Sequence, residues 1–137
     1  MLRVSTIVGC VSALLLVSAC TSSSSPTPTP TATPPATTDT FTGTLAQNSS
    51  VLNTFTVNAT GTVTFILVSL QPQSTITMGL GVGTPNGGSC GVSTTQENFK
   101  VGTAFTTTLS AGTYCVVLYD LGNMIGPNTY TLTVLHP

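Results

Sequence analysis

Charge is almost missing from this chain: two Lys or Arg and three Asp or Glu among 137 residues leave a formal net charge of −1. Nucleic-acid binding needs clustered Lys and Arg to neutralise phosphates, and Arg3 and Lys100 cannot form such a patch. Nucleic acid is thereby excluded as a partner. Acid–base catalysis needs at least two positioned titratable groups, and beyond residue 39 the candidates reduce to Glu97, Lys100, Asp120 and His136. Glu97 and Asp120 would act as a glycosidase pair only from facing walls of a cleft. Glu97 is instead expected beside Lys100 on a solvated turn, and Asp120 is expected to hold the Asx-type turn Asp120-Leu121-Gly122-Asn123. His136, one residue from the end, is expected in solvent. Ser and Thr are abundant but have no His and carboxylate pattern to activate them. A calcium site at Asp120 and Asn123 would hold a single carboxylate and bind weakly. The expectation is a protein with no catalytic residues, no metal site and no cofactor.

A membrane-spanning run is missing as well. Val4 to Ala19 is uncharged and follows Arg3, but its sixteen residues fall short of the roughly 20 that a spanning helix requires. A positive start, a short apolar segment and small residues at its end are the parts of a cleaved signal peptide. Its last step, Val17-Ser18-Ala19-Cys20, resembles the lipobox of bacterial lipoproteins. That resemblance implies lipidation of Cys20, cleavage before it, and a membrane anchor of acyl chains. Each buried methylene of such a chain contributes about 0.8 kcal/mol, so two or three chains hold firmly where one does not. Thr21, where some relatives carry an aspartate, implies the outer membrane or cell surface as the location within the envelope.

From Thr21 to Thr38 the chain contains only Ser, Thr, Pro and Ala. Alternating Pro and Thr favour an extended polyproline II tether, at about 3.1 Å per residue, and nothing here can bury a core. The organisation expected is a signal peptide over 1–19, the lipidated cysteine and a disordered linker over 20–39, and one small domain over 40–137.

That domain is rich in Thr and Val, which suit pleated, half-buried surfaces. Period-two alternation recurs along it. Phe41, Gly43 and Leu45 share a face; Val51, Phe55, Val57 and Ala59 share another, which Asn53 interrupts. Phe65-Ile66-Leu67-Val68 is continuous and is expected to be covered on both sides. Ile76, Met78, Leu80 and Val82 oppose only Thr and Gly. Pro85-Asn86-Gly87-Gly88 signals a turn, and Ser89 to Gly102 reads as a variable region. Strands resume around Phe105 and Leu109, in Tyr114 to Tyr119, and in a final run with Tyr130, Leu132 and Val134 inward. No helical period and no long repeat are present. The pattern predicts an all-β fold: a single antiparallel β-sandwich, jelly-roll-like, of seven to eight strands.

Of four cysteines, Cys10 leaves with the signal and Cys20 is lipidated on this reading. Cys90 and Cys115 then remain in an oxidising compartment. Two cysteines without a nearby His cannot complete a metal site, and the CxxC spacing of redox catalysts is absent. A structural disulfide is the expectation.

The segment LSAGTYCVVLYDLGNMIGPNTYTLTV, residues 109–134, resembles the last strands of bacterial pre-peptidase C-terminal domains, and NTFTVNATGTVTFILVSL, residues 53–70, resembles their early strand pair. The resemblance implies a jelly-roll-like sandwich that accompanies secreted or surface proteins and is not itself a catalyst. Many members carry an acidic Asp-x-Asp-Leu strand where this chain has Thr75-Ile76-Thr77-Met78-Gly79-Leu80, so calcium roles tied to those acids do not transfer.

Tyr114 and Tyr119 lie five positions apart and must face opposite sides of one strand, while Tyr130 falls on the core face. Tyr119, Met124 and Ile125 form the candidate interaction patch, small, exposed and apolar. The function expected is a non-enzymatic, lipid-anchored envelope lipoprotein that displays its sandwich as an interaction or structural module. Its partners would be the membrane, through the anchor, and an envelope protein or glycan. The alternative is a carbohydrate-binding module at the cell surface, with a hydrolase far behind.

Overall fold

The computed structural model describes residues 33–137; the signal peptide, Cys20 and most of the linker lie outside the described residues. Eight strands form: β1 (Thr37–Leu45), β2 (Ser50–Val57), β3 (Gly61–Gln71), β4 (Met78–Asn86), β5 (Ser89–Phe99), β6 (Ala104–Leu109), β7 (Gly112–Asp120) and β8 (Asn128–His136). They pair into two four-stranded sheets, sheet A in the order β1-β8-β3-β6 and sheet B in the order β2-β7-β4-β5. Every named pair is antiparallel. This interleaving is the double Greek key of a jelly roll.

The two sheets face each other through the alternate residues that the sequence pattern marks as apolar. Leu45, Val63, Phe65, Leu67 and Leu132 of sheet A meet Phe55, Met78, Leu80 and Leu118 of sheet B, all of them buried. Phe55 sits at the seam, edge-on to Phe65 with centroids 5.7 Å apart and stacked on Tyr114 at 6.0 Å. Each such side chain stabilises the fold by roughly 1.5–3 kcal/mol through removal from water. Asn53, the polar break in the β2 pattern, donates its Nδ2–H to the Tyr130 hydroxyl at 3.2 Å, which satisfies a polar group facing the core.

Cys90 and Cys115 are joined in a disulfide, their Cα atoms 5.8 Å apart across 25 residues of sequence. The bond crosses from the start of β5 to β7 over the outer side of β4, where Pro85 and Gly83 are the register partners of the two cysteines.

Four expectations are corrected. First, Thr37 to Asp39 are strand and not linker: they begin β1 and complete its register with the end of β8. Second, β3 is not covered on both sides: Val68 is half exposed, since the outer side of sheet A faces solvent. The strand buried on both faces is β4, whose first six residues are all buried. Third, Ser89 to Phe99 is not a loop but an eleven-residue edge strand. Its polar composition reflects an edge exposed to water. Fourth, His136 is 2% exposed. The alternation of Tyr130, Leu132 and Val134 carries on to it, and its ring Nε2 lies 3.1 Å from Asp39 Oδ2.

Candidate interaction site

The two ends of the sandwich differ. Residues 33–36 lead into β1 at the end where Thr37 pairs with His136. Leu45 pairs with Asn128 at the opposite end, eight residues further on, or about 26 Å along the strands at 3.3 Å per residue. Here these are called the tether end and the distal end.

At the tether end a pocket of about 310 Å³ opens, lined by Thr33, Pro34, Ala36, Thr60, Gly61 and Pro137, with His136 in its wall. His136 has an oxygen near each ring nitrogen: Asp39 Oδ2 at Nε2, and the Pro137 carbonyl oxygen 3.4 Å from Nδ1. Its ring packs 5.9 Å from that of Phe55. The contact with Asp39 pins β1 to β8 at this end. Sequence reading set Asp39 aside with the linker on composition alone. The continued two-residue period of β8 was the signal that marked both Asn128 and His136 as inward.

The distal end carries the loop of residues 121–127, and a dense set of hydrogen bonds holds it. Asp120 Oδ1 accepts from the backbone N–H of Gly122 (2.9 Å), Asn123 (2.9 Å) and Met124 (3.2 Å), and Oδ2 accepts from that of Asn48 (2.9 Å). Burial, the largest single influence, pushes this carboxyl up, but the four N–H donors together outweigh it and hold the group below its usual range. The Asx-type role expected of Asp120 is therefore present, extended by a fourth donor, Asn48, from the turn that leads into the neighbouring strand β2. Both oxygens that a cation would need already serve amides, and the Asn123 side chain donates to the Thr77 carbonyl at 3.0 Å. Among the described residues no group of three or more His, Cys, Asp or Glu is placed to hold a metal.

From the other side, buried Asn128 braces the loop. Its Oδ1 accepts from Gln73 N–H at 2.8 Å, while its Nδ2 donates to Gln73 Oε1 at 2.9 Å and to the Gly126 carbonyl at 3.1 Å. Gln73 Oε1 also accepts from Ile125 N–H at 3.0 Å.

The expected patch is split by this architecture. Met124 is 1% exposed and joins the core cluster, a correction: the bonds to Asp120 turn the loop so that Met124 plugs the end of the sandwich. Ile125 is 86% exposed, held outward by backbone bonds on both flanks. Tyr119 is half-buried on the outer side of sheet B. Tyr114 stacks in the core and Tyr130 is buried, so of the three tyrosines only Tyr119 faces outward.

Tyr119 lies opposite Gly79 in the β4–β7 register, and a Cβ built on Gly79 would fall inside its ring, nearest Cε2 and Cζ. The ring thus rests flat on the glycine backbone. Across β4 the register shifts by one residue, Met78 pairing with Phe99 but Leu80 with Gln96, so that Glu97 and Asn98 together oppose Gly79. This is a β-bulge, a device that re-aims side chains. Burial first, and then the Glu97 carboxylate, push the Tyr119 hydroxyl pKa up. Glu97 does not face Asp120 across a cleft: it belongs to the bulge on the sheet surface, and Asp120 to the loop.

No protein-family model matches the chain, and no curated protein matches it either.

Proposed function

We propose that this chain is a lipid-anchored lipoprotein of the cell envelope, held in the outer membrane or at the cell surface through Cys20, with its jelly roll displayed on a Ser/Thr/Pro tether as a non-catalytic binding module. The resemblance to pre-peptidase C-terminal domains, themselves accessory sandwiches, belongs to the same reading. The observation that carries it is the polarity of the domain. Residues 33–36 enter at one end, while the exposed Ile125, on a loop cross-braced by Asp120 and Asn128, and the outward Tyr119 at the end of β7 lie at the other. A rigid, partly apolar surface held away from its anchor suits capture of something beyond the membrane. The titratable groups near it support binding over catalysis, since Asp120 is occupied by four amides.

The test is fractionation of cells expressing the native chain or Cys20→Ser, followed by mild cross-linking and mass spectrometry. The native chain should sediment with membranes and Cys20→Ser should be soluble. Ile125→Glu should stay anchored and lose its cross-linked neighbours. Persistent membrane association of Cys20→Ser would overturn the anchor, and unchanged cross-links in Ile125→Glu would overturn the distal loop as the contact.

A further inference from the structure

Sheet B carries at its distal end a feature that strand packing alone does not require. The outward positions of β4 are glycines at 79, 81 and 83, and different groups cover each. The Gly91 backbone lies against Gly83, the Val92 side chain lies over Gly81, and the Tyr119 ring lies over Gly79. The first two are closed by β5 folding across its neighbour. The third is closed by the aromatic ring of Tyr119, which packs against Gly79 and is itself half-buried.

On the far side of Gly79 the bulge brings Glu97 and Asn98 to the same glycine, both exposed. Among the described residues neither side chain has a hydrogen-bond partner in the protein. Ionised Glu97 only accepts; Asn98 both donates and accepts. A flat ring beside one acceptor and one amide matches the two-sided character of a pyranose, whose C–H face is apolar and whose hydroxyls donate and accept. The Glu97 carboxylate also sets a sign. It would repel uronic, sialic or sulfated residues, so the matching ligand is neutral.

We infer that Tyr119, Glu97 and Asn98 form a binding platform for a neutral pyranose-containing glycan of the cell's own envelope, the sugar ring stacking on Tyr119 and its hydroxyls bonding to the bulge. The choice of source rests on the display reading above. Within the described residues the platform lies at the distal end, opposite the end where residues 33–36 enter β1. On the display reading, the glycans within reach are those of the envelope that holds the anchor.

The experiment uses the purified full-length chain and three probes: tetrasaccharides of N-acetylglucosamine, of glucose and of galacturonate. The chain has three Tyr and no Trp, so tyrosine fluorescence and the tyrosine ring resonances report on the site directly. At least one neutral tetramer should bind and shift the Tyr119 ring resonances, and galacturonate should bind at least about tenfold more weakly, a difference of roughly 1.4 kcal/mol. Tyr119→Ala should lose about tenfold in affinity. Because that variant uncovers Gly79, Glu97→Ala serves as a second probe: Glu97 is exposed and unpaired, so the fold survives, and affinity should drop several-fold. Glu97→Gln should narrow the preference for neutral over galacturonate ligands. Failure of both neutral tetramers to bind, or affinity unchanged in both alanine variants, would overturn the platform. Because the probes are added in solution, a chain that binds them but does not sediment with membranes would fail the anchor reading and keep the platform, while an anchored chain that ignores them would do the reverse.

Discussion

The outer faces of the two sheets come from one short chain of nearly one composition, yet they are built on different rules. On sheet A the outward positions of β1 are Thr38, Thr40, Thr42 and Thr44, and three of their partners on β8 are Thr133, Thr131 and Thr129. The edge-strand threonines are exposed, and the face needs only residues with strand propensity and a hydroxyl for water. On sheet B three outward positions of β4, Gly79, Gly81 and Gly83, have no side chains. They lie beneath Tyr119 and the folded-over edge strand at Gly91 and Val92. The first face tolerates its environment and the second is assembled. Binding chemistry is better sought where space has been cleared and then filled by a distant residue than where a regular pattern meets solvent.

The comparison is most easily broken at Gly83. Any side chain there would run into the Gly91 carbonyl, so Gly83→Val should cost at least about 3 kcal/mol, whereas Thr131→Val on sheet A should stay within about 0.5 kcal/mol. Urea unfolding of both variants decides it, and equal effects would erase the distinction. Next in size is the disulfide. Replacing Cys90 and Cys115 together by Ser should remove about 3 kcal/mol on the chain-entropy account, and reductant should lower the melting temperature of the native chain but not that of the double variant.

Asp120→Ala should cost about 2 kcal/mol, because four backbone donors lose a charged acceptor. The pH dependence follows from the direction of the shift. The folded carboxyl is held below its ordinary value of 3.8, so the native state gains stability above that pH and loses it as pH falls through the folded value. Denaturation from pH 6 to pH 2 should therefore show a steeper acid loss in the native chain than in Asp120→Asn. The smallest effect is expected from Thr42→Ala, an exposed position on sheet A, which should change stability by less than about 0.5 kcal/mol. A larger loss would mean that the threonine face is also assembled.

Much of this was legible along the chain. The inward residues of β1, β2, β4 and β8, the hairpin at Gly87-Gly88, the pairing of the two domain cysteines and the turn role of Asp120 all follow from alternation, turn chemistry and cysteine arithmetic, which act over a few neighbouring residues. What was misread concerns partners distant in sequence. Asp39 looked like the end of a linker because its neighbours are Thr, and His136 looked solvated because it is penultimate, yet they meet 97 residues apart. Met124 looked exposed because its loop is polar, and the hydrogen bonds that the loop N–H groups donate to Asp120 turn it inward.

By itself the sequence determined that the domain is all-β, which side of most strands faces a core, and that charge is too sparse for nucleic acid, because period, propensity and composition are local properties. Only the tertiary structure decided that Tyr119 lies on Gly79 beside the Glu97–Asn98 bulge, that β4 and not β3 is doubly covered, and that Ile125 and Tyr119 lie at the end of the sandwich opposite the entry into β1. Those facts depend on strand order and register, and register is set by how the whole sandwich closes around its core.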